Sequence, residues 1–206
     1  MKSEQAQIMS VTQHPSVKSI NDIKLTIHTK CYIPKQNGDI FITRCIVCPN
    51  GKMIFMDYYS RLVILNDDGT LYKEISCLSG HPYGVSCLDN ITVTVSTYND
   101  IKIINIESTK TVRRIKTGSP WFGITHHNGV LLWCEPERAI QMIKLSDDKV
   151  TTLVNQINLP YYSYITTCGH KIYQANRDTN IVTCYTKKGV KLWEHIATCG
   201  DRLKSG

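Results

Sequence analysis

The sequence predicts an all-β propeller, and three observations carry that prediction. Turn signals recur about every 39 residues along the 206-residue chain, and internal repeats near 40 residues mark propellers or arrays. Each repeat holds four turns, and so four short strands. The runs between turns are rich in Val, Ile, Thr, Tyr and Trp, with no helical apolar stripe to compete.

Taken in order, residues 1–19 have few strong apolar positions and read as a linker or tail. Ile23-Lys24-Leu25-Thr26-Ile27 then alternates apolar and polar residues, as a half-buried strand does. Lys35 to Asp39, with Asn37-Gly38 inside it, is a turn. Unit one, about 41–79, has strands at Thr43–Cys48, Met53–Asp57, Leu62–Asn66 and Leu71–Ser76. Unit two, about 80–117, has them at Gly84–Leu88, Thr92–Ser96, Ile101–Ile106 and Val112–Lys116. Unit three, about 118–158, offers Gly123–His127, Val130–Cys134, Ile140–Leu145 and Val150–Val154. Unit four, about 159–196, offers Ser163–Thr167, Lys171–Ala175, Ile181–Tyr185 and Lys191–His195.

A four-stranded blade hides its faces only by stacking on its neighbours. At about 40 residues per blade a six-bladed ring takes roughly 240 residues. Residues 20–206 therefore read as an incomplete six-bladed propeller with four recognisable blades.

Composition narrows the function classes. Hydrophobic content of 42% and charged content of 20% describe an ordinary folded protein. No apolar run approaches the roughly 18 residues of a spanning helix, and Met1 to Ser10 lacks the apolar core of a secretion signal. The expectation is a cytoplasmic protein with no membrane association. The nine cysteines are odd in number and lie in a long chain, so they read as reduced and mostly buried. Cys45, Cys87, Cys134 and Cys184 sit in strand-like runs, where a thiol packs as a small hydrophobe. The net charge of +7 is scattered, and Lys187, Lys188 and Lys191 surround what reads as a solvated turn.

Nothing in the sequence signals catalysis, a cofactor or a metal, and a metal-dependent propeller hydrolase or lactonase is the least favoured function class. Cys45-Ile46-Val47-Cys48 has the spacing of half a zinc site, but Cys31, Cys77 and Cys87 lack the second pair. His126 and His127 are adjacent on a strand and face opposite ways.

At this level the chain resembles the NHL-type six-bladed propeller of tripartite-motif (TRIM) proteins, and most closely the TRIM-like proteins of bivalve molluscs. The resemblance rests on Pro49-Asn50-Gly51-Lys52 leading to Phe55-Met56-Asp57-Tyr58, and on Leu65-Asn66-Asp67-Asp68-Gly69. It continues through Val93–Thr97, Ile103-Ile104-Asn105-Ile106, Gly123-Ile124-Thr125, and Cys184 through Lys188-Gly189 to Trp193-Glu194. It implies a substrate- or RNA-recognition module, most directly the substrate-binding propeller of a ubiquitin ligase, in full-length members oligomerised through an upstream coiled coil. Ligase activity itself would need a zinc-bound RING, which these residues do not contain.

Topology then picks out candidate binding residues. Second-to-third turns and blade-to-blade connections lie at one end of a propeller. That end collects Tyr58, Tyr59, Arg61, His81, Tyr98, Trp121, Phe122, Arg138, Tyr162 and Arg177. Aromatic residues and arginine dominate protein-interface hot spots, and they also stack on unpaired bases. Two partners follow, a protein substrate or adaptor and single-stranded RNA. Asp57, Asp100, Glu135, Glu137 and Asp178 at the same end repel phosphate and favour the protein. Tyr83, Trp121 and Tyr161 have an alternative place, packed between blades beside the prolines.

Overall fold

The computed structural model describes residues 4–11, 25–34, 40–76, 81–117, 123–155, 159–160 and 163–196. Their regular structure is all strand. β1 (Glu4–Val11) and β2 (Leu25–Ile33) form a two-stranded antiparallel sheet. Blade 1 is β3 (Ile42–Val47), β4 (Met53–Asp57), β5 (Arg61–Leu65) and β6 (Leu71–Ser76). Blade 2 is β7 (Gly84–Cys87), β8 (Thr92–Ser96), β9 (Asp100–Asn105) and β10 (Lys110–Lys116). Blade 3 is β11 (Ile124–His127), β12 (Val130–Glu135), β13 (Ala139–Lys144) and β14 (Val150–Asn155). Blade 4 is β15 (Ser163–Cys168), β16 (Lys171–Asn176), β17 (Ile181–Thr186) and β18 (Lys191–Ile196). Every strand pairs with its chain neighbour, so each blade is a simple meander.

Strand positions in the blades agree with the sequence reading to within a residue or two. The start of the chain does not. Residues 4–11, read as tail, form β1, in register with β2 from Glu4 opposite Ile33 to Val11 opposite Leu25. Pairing over that sequence distance has no local signature. The expected strand at 23–27 is observed from Leu25 and runs on to Ile33, while the turn at 35–39 lies outside the described residues. Of the expected six-bladed ring, the described residues contain four blades.

The strand compositions explain which surfaces are buried. β4 (MIFMD) and β5 (RLVIL) are continuously buried, as central strands sandwiched on both faces must be. β10 and β18, at the blade edges, are mostly exposed. Four apolar interfaces run through the described residues. Cys31 and Ile33 of β2 cover Met53, Phe55, Val63 and Leu65 on one face of blade 1. Ile54, Met56, Leu62 and Ile64 on the opposite face meet Val93, Val95 and Ile104 of blade 2. Ile101, Ile103 and Ile115 then pack on Leu131, Trp133 and Ile143 of blade 3. Leu132, Cys134 and Ile140 meet Ile165, Ile172 and Tyr185 of blade 4.

The innermost strands β3, β7, β11 and β15 surround a central cavity of about 410 Å³. Gly123 sits where β11 runs tightly against β15. A Cβ there would meet Ser163 O at 2.7 Å, Ile165 N at 2.9 Å and Tyr164 Cα at 3.0 Å. All three are backbone atoms and cannot rotate aside. Gly123→Ala therefore costs about 1–3 kcal/mol of stability, read as a lower urea midpoint at unchanged slope; an unshifted midpoint would show that the strands separate freely.

The cysteines differ from expectation. Cys48 and Cys87 are joined in a disulfide that links blades 1 and 2, with Cα atoms 5.8 Å apart. Each ends the innermost part of its blade, and their 39-residue separation is one repeat. They meet because stacking of consecutive blades brings equivalent repeat positions side by side, a relation that no local pattern in the chain encodes. Cys31, Cys134 and Cys184 are buried thiols, but Cys45 and Cys168 are exposed. Full burial pushes the Cys134 thiol up to about 12, which leaves it inert at neutral pH.

Candidate functional site

The turn between β4 and β5 carries Tyr58 and Tyr59, and a buried charge network fixes it. Asp57, 2% exposed, accepts from the backbone N–H of Phe41 at 3.3 Å and of Tyr59 at 3.2 Å through Oδ1. Its Oδ2 takes Nη2 of Arg61 at 3.2 Å. Arg61 is 8% exposed, and its Nη1 also donates to Glu74 Oε2 at 3.3 Å and to Pro34 O at 3.5 Å. Asp57 and Arg61 are opposite one another across the turn. The three side chains clamp the turn from beneath.

On that clamp stands a cluster of exposed rings. Tyr58 stacks on His81 with centroids 4.5 Å apart and 14° between planes. His81 Nδ1 lies 3.2 Å from Tyr58 O. Phe41 and Tyr59 approach the Tyr58 ring edge-on, at 6.0 Å and 5.8 Å. Phe41 and Tyr59 are 60% and 62% exposed, unusual for large rings that are already preorganised by their neighbours.

Beside the rings opens a cavity of about 580 Å³ at the mouth of the central channel. Phe41, Tyr58, Tyr83, Tyr164 and Arg177 border it, so blades 1, 2 and 4 all contribute. The Arg44 guanidinium lies over the Tyr164 ring, 4.2 Å from its centroid, and joins blade 1 to blade 4.

Seven of the ten residues singled out from sequence lie in the described structure. Tyr58, Tyr59 and His81 are brought together, and Arg177 borders the same cavity. Tyr98 is exposed on the β8–β9 turn, and Arg138 is exposed on the β12–β13 turn, with Nη1 3.3 Å from Glu135 Oε1. Arg61 is not on the surface; it holds the turn that presents the tyrosines. Trp121, Phe122 and Tyr162 lie outside the described residues, as does Tyr161. Tyr83 is half-buried and borders the same cavity.

Sequence reasoning missed Phe41, Arg44 and Tyr164. β3 is bulged between Ile42 and Arg44, so the period-2 pattern that assigns faces is broken at the point where it was needed. The carboxylates at this end are also spent in part. Asp57 is paired with Arg61, Asp100 with Arg114 at 3.2 Å and Glu135 with Arg138. Among the described residues, no group of three or more His, Cys, Asp or Glu is placed to hold a metal ion. No helix of the described residues is long and apolar enough to cross a membrane.

Four stacked four-stranded meanders around a central channel define a β-propeller. No protein-family model matches the chain, and no curated protein matches it. Solved structures do share the fold. A chain of the mitotic checkpoint complex matches with a TM-score of 0.65 at 6% identity, covering 82% of this chain and 55% of that one. The WD40 repeats of RRP9 match at 0.62 and 10% identity, over 76% of this chain and 52% of theirs. The computationally designed Ika4 protein matches at 0.56 and 8% identity, over 74% of this chain and 95% of the designed one. The chain thus spans about half the length of the first two, and the likeness is one of fold.

Proposed function

We propose that this propeller is a non-catalytic recognition module that binds a protein partner at the ring-lined mouth. The observation that carries the reading is the cluster of Phe41, Tyr58, Tyr59 and His81, exposed yet held in fixed mutual geometry beside a cavity of about 580 Å³. Rigid aromatic side chains offer contact area at little entropic cost, as interface anchors do. RNA is the weaker occupant, because Arg61 is buried and ion-paired with Asp57 and Glu74 rather than presented to a phosphate.

In its finer form the reading follows the NHL resemblance. The four blades belong to a six-bladed ring, and the mouth selects the substrate of a TRIM-like ubiquitin ligase whose RING lies on another segment or chain. Cytoplasmic location fits that form.

A photo-reactive phenylalanine placed at Tyr59 tests the mouth, with one at Asp68, on a turn at the other end, as reference. The expected result is a discrete protein adduct from position 59 only, unaffected by ribonuclease. Tyr59→Ala then weakens the captured partner by about 2 kcal/mol, roughly thirtyfold. Equal capture from both positions would remove the mouth from consideration. Adducts destroyed by ribonuclease would instead establish the RNA reading.

A further inference from the structure

A second site lies at the opposite end, between blades 3 and 4. It is a cleft of about 230 Å³ walled by Val130, Leu132, Met142 and Ile172, with His127 and Lys187 on its rim. Leu132 and Ile172 are 4% and 1% exposed, so the floor is dry. Lys187, on the turn between β17 and β18, reaches across to blade 3 and donates from Nζ to His127 Nε2. Both side chains are half-buried.

Lys187 is not the solvated lysine its sequence context suggests. Gly189 in the same turn has φ +80°, and a Cβ on it would lie 2.2 Å from Leu153 O of β14. The turn is pressed onto blade 3, and that contact delivers the ammonium to the cleft. The His127 ring is held below its usual basicity first by burial and then by the charges of Lys187 and His170. Among the described residues, none of these three side chains forms an ion pair with a carboxylate. A half-buried cation at the lip of an apolar cleft, facing no anion of its own, is incompletely satisfied.

We propose that this cleft binds an unbranched aliphatic carboxylate, with the carboxylate on Lys187 Nζ and the tail between the blades. At roughly 30 Å³ per water-sized group, the volume takes a tail of about seven or eight such groups. The apolar walls disfavour phosphate, most of whose oxygens would lose water without gaining a donor.

Calorimetric titration of the chain with octanoate, 1-octanol and inorganic phosphate tests the assignment. Octanoate binds one to one, and the alcohol and phosphate bind at least about tenfold more weakly, as loss of a charge-assisted hydrogen bond requires. Lys187→Met reproduces that loss while leaving the urea midpoint in place, and Lys187→Arg restores binding. Met142→Trp fills the cleft and removes octanoate binding with Lys187 intact. Octanol binding as tightly as octanoate, phosphate competing equally, undiminished binding by Lys187→Met, or no octanoate binding at all would each overturn the proposal.

Discussion

Arg61→Ala is expected to lower the unfolding free energy by about 3–5 kcal/mol, the cost of stranding the partner of a buried ion pair. Asp57 is 2% exposed, and Arg61 Nη2 at 3.2 Å is its cationic neighbour. Without the guanidinium the carboxylate loses its cationic partner and is left to neutral donors such as the backbone N–H groups of Phe41 and Tyr59. Glu74 loses its ion pair with Arg61 as well. Urea denaturation reads the effect, and the double variant Asp57→Asn with Arg61→Ala should recover part of it because the stranded charge is gone. A loss below about 1 kcal/mol, the range of an exposed pair, would mean that water reaches the network. The result also bears on function: an Arg61 substitution changes binding through the turn it supports, so Arg177 is the arginine to alter when probing the mouth itself.

Replacing both Cys48 and Cys87 by serine is the second large change. The bridge closes a loop of 39 residues, and constraint of the unfolded chain on that scale contributes about 4 kcal/mol in the loop-entropy account. The double variant should unfold at a clearly lower denaturant concentration under non-reducing conditions, and dithiothreitol should bring the unaltered chain to the same midpoint. Coincident midpoints without reductant would show that the two thiols are unbridged in solution. A persistent bridge is characteristic of oxidising compartments, so the same titration weighs on the cytoplasmic location expected from the sequence.

The fold was legible because its signals are local. Asn128-Gly129 has positive φ at both residues, 49° and 73°, as a two-residue hairpin turn requires, and the sequence writes such turns at a fixed period. The candidate mouth was legible only as a list of turn residues. Turn position placed Tyr58, Tyr59 and His81 at one end, but whether a side chain points outward depends on contacts between strands. Asp57 and Arg61 flank a tight turn and so face each other, a pairing that spacing alone could have suggested for Arg61. Phe41 and Arg44 were hidden by the bulge in β3. The disulfide and the position of Lys187 depend on which repeat stacks on which, and β1 on pairing with β2 across an intervening stretch of chain; no local pattern encodes either.

The meander order of the sheets has a kinetic meaning. Every strand of a blade finds its partner in the preceding or following run of chain, so loops closed during folding are short and their entropic cost is small. β2 already covers one face of blade 1, and each later blade adds its interface to the one before it. The chain can thus assemble in the order of its synthesis, each finished blade serving as the template for the next. Contacts that reach back across the channel, such as Arg44 on Tyr164, are made last.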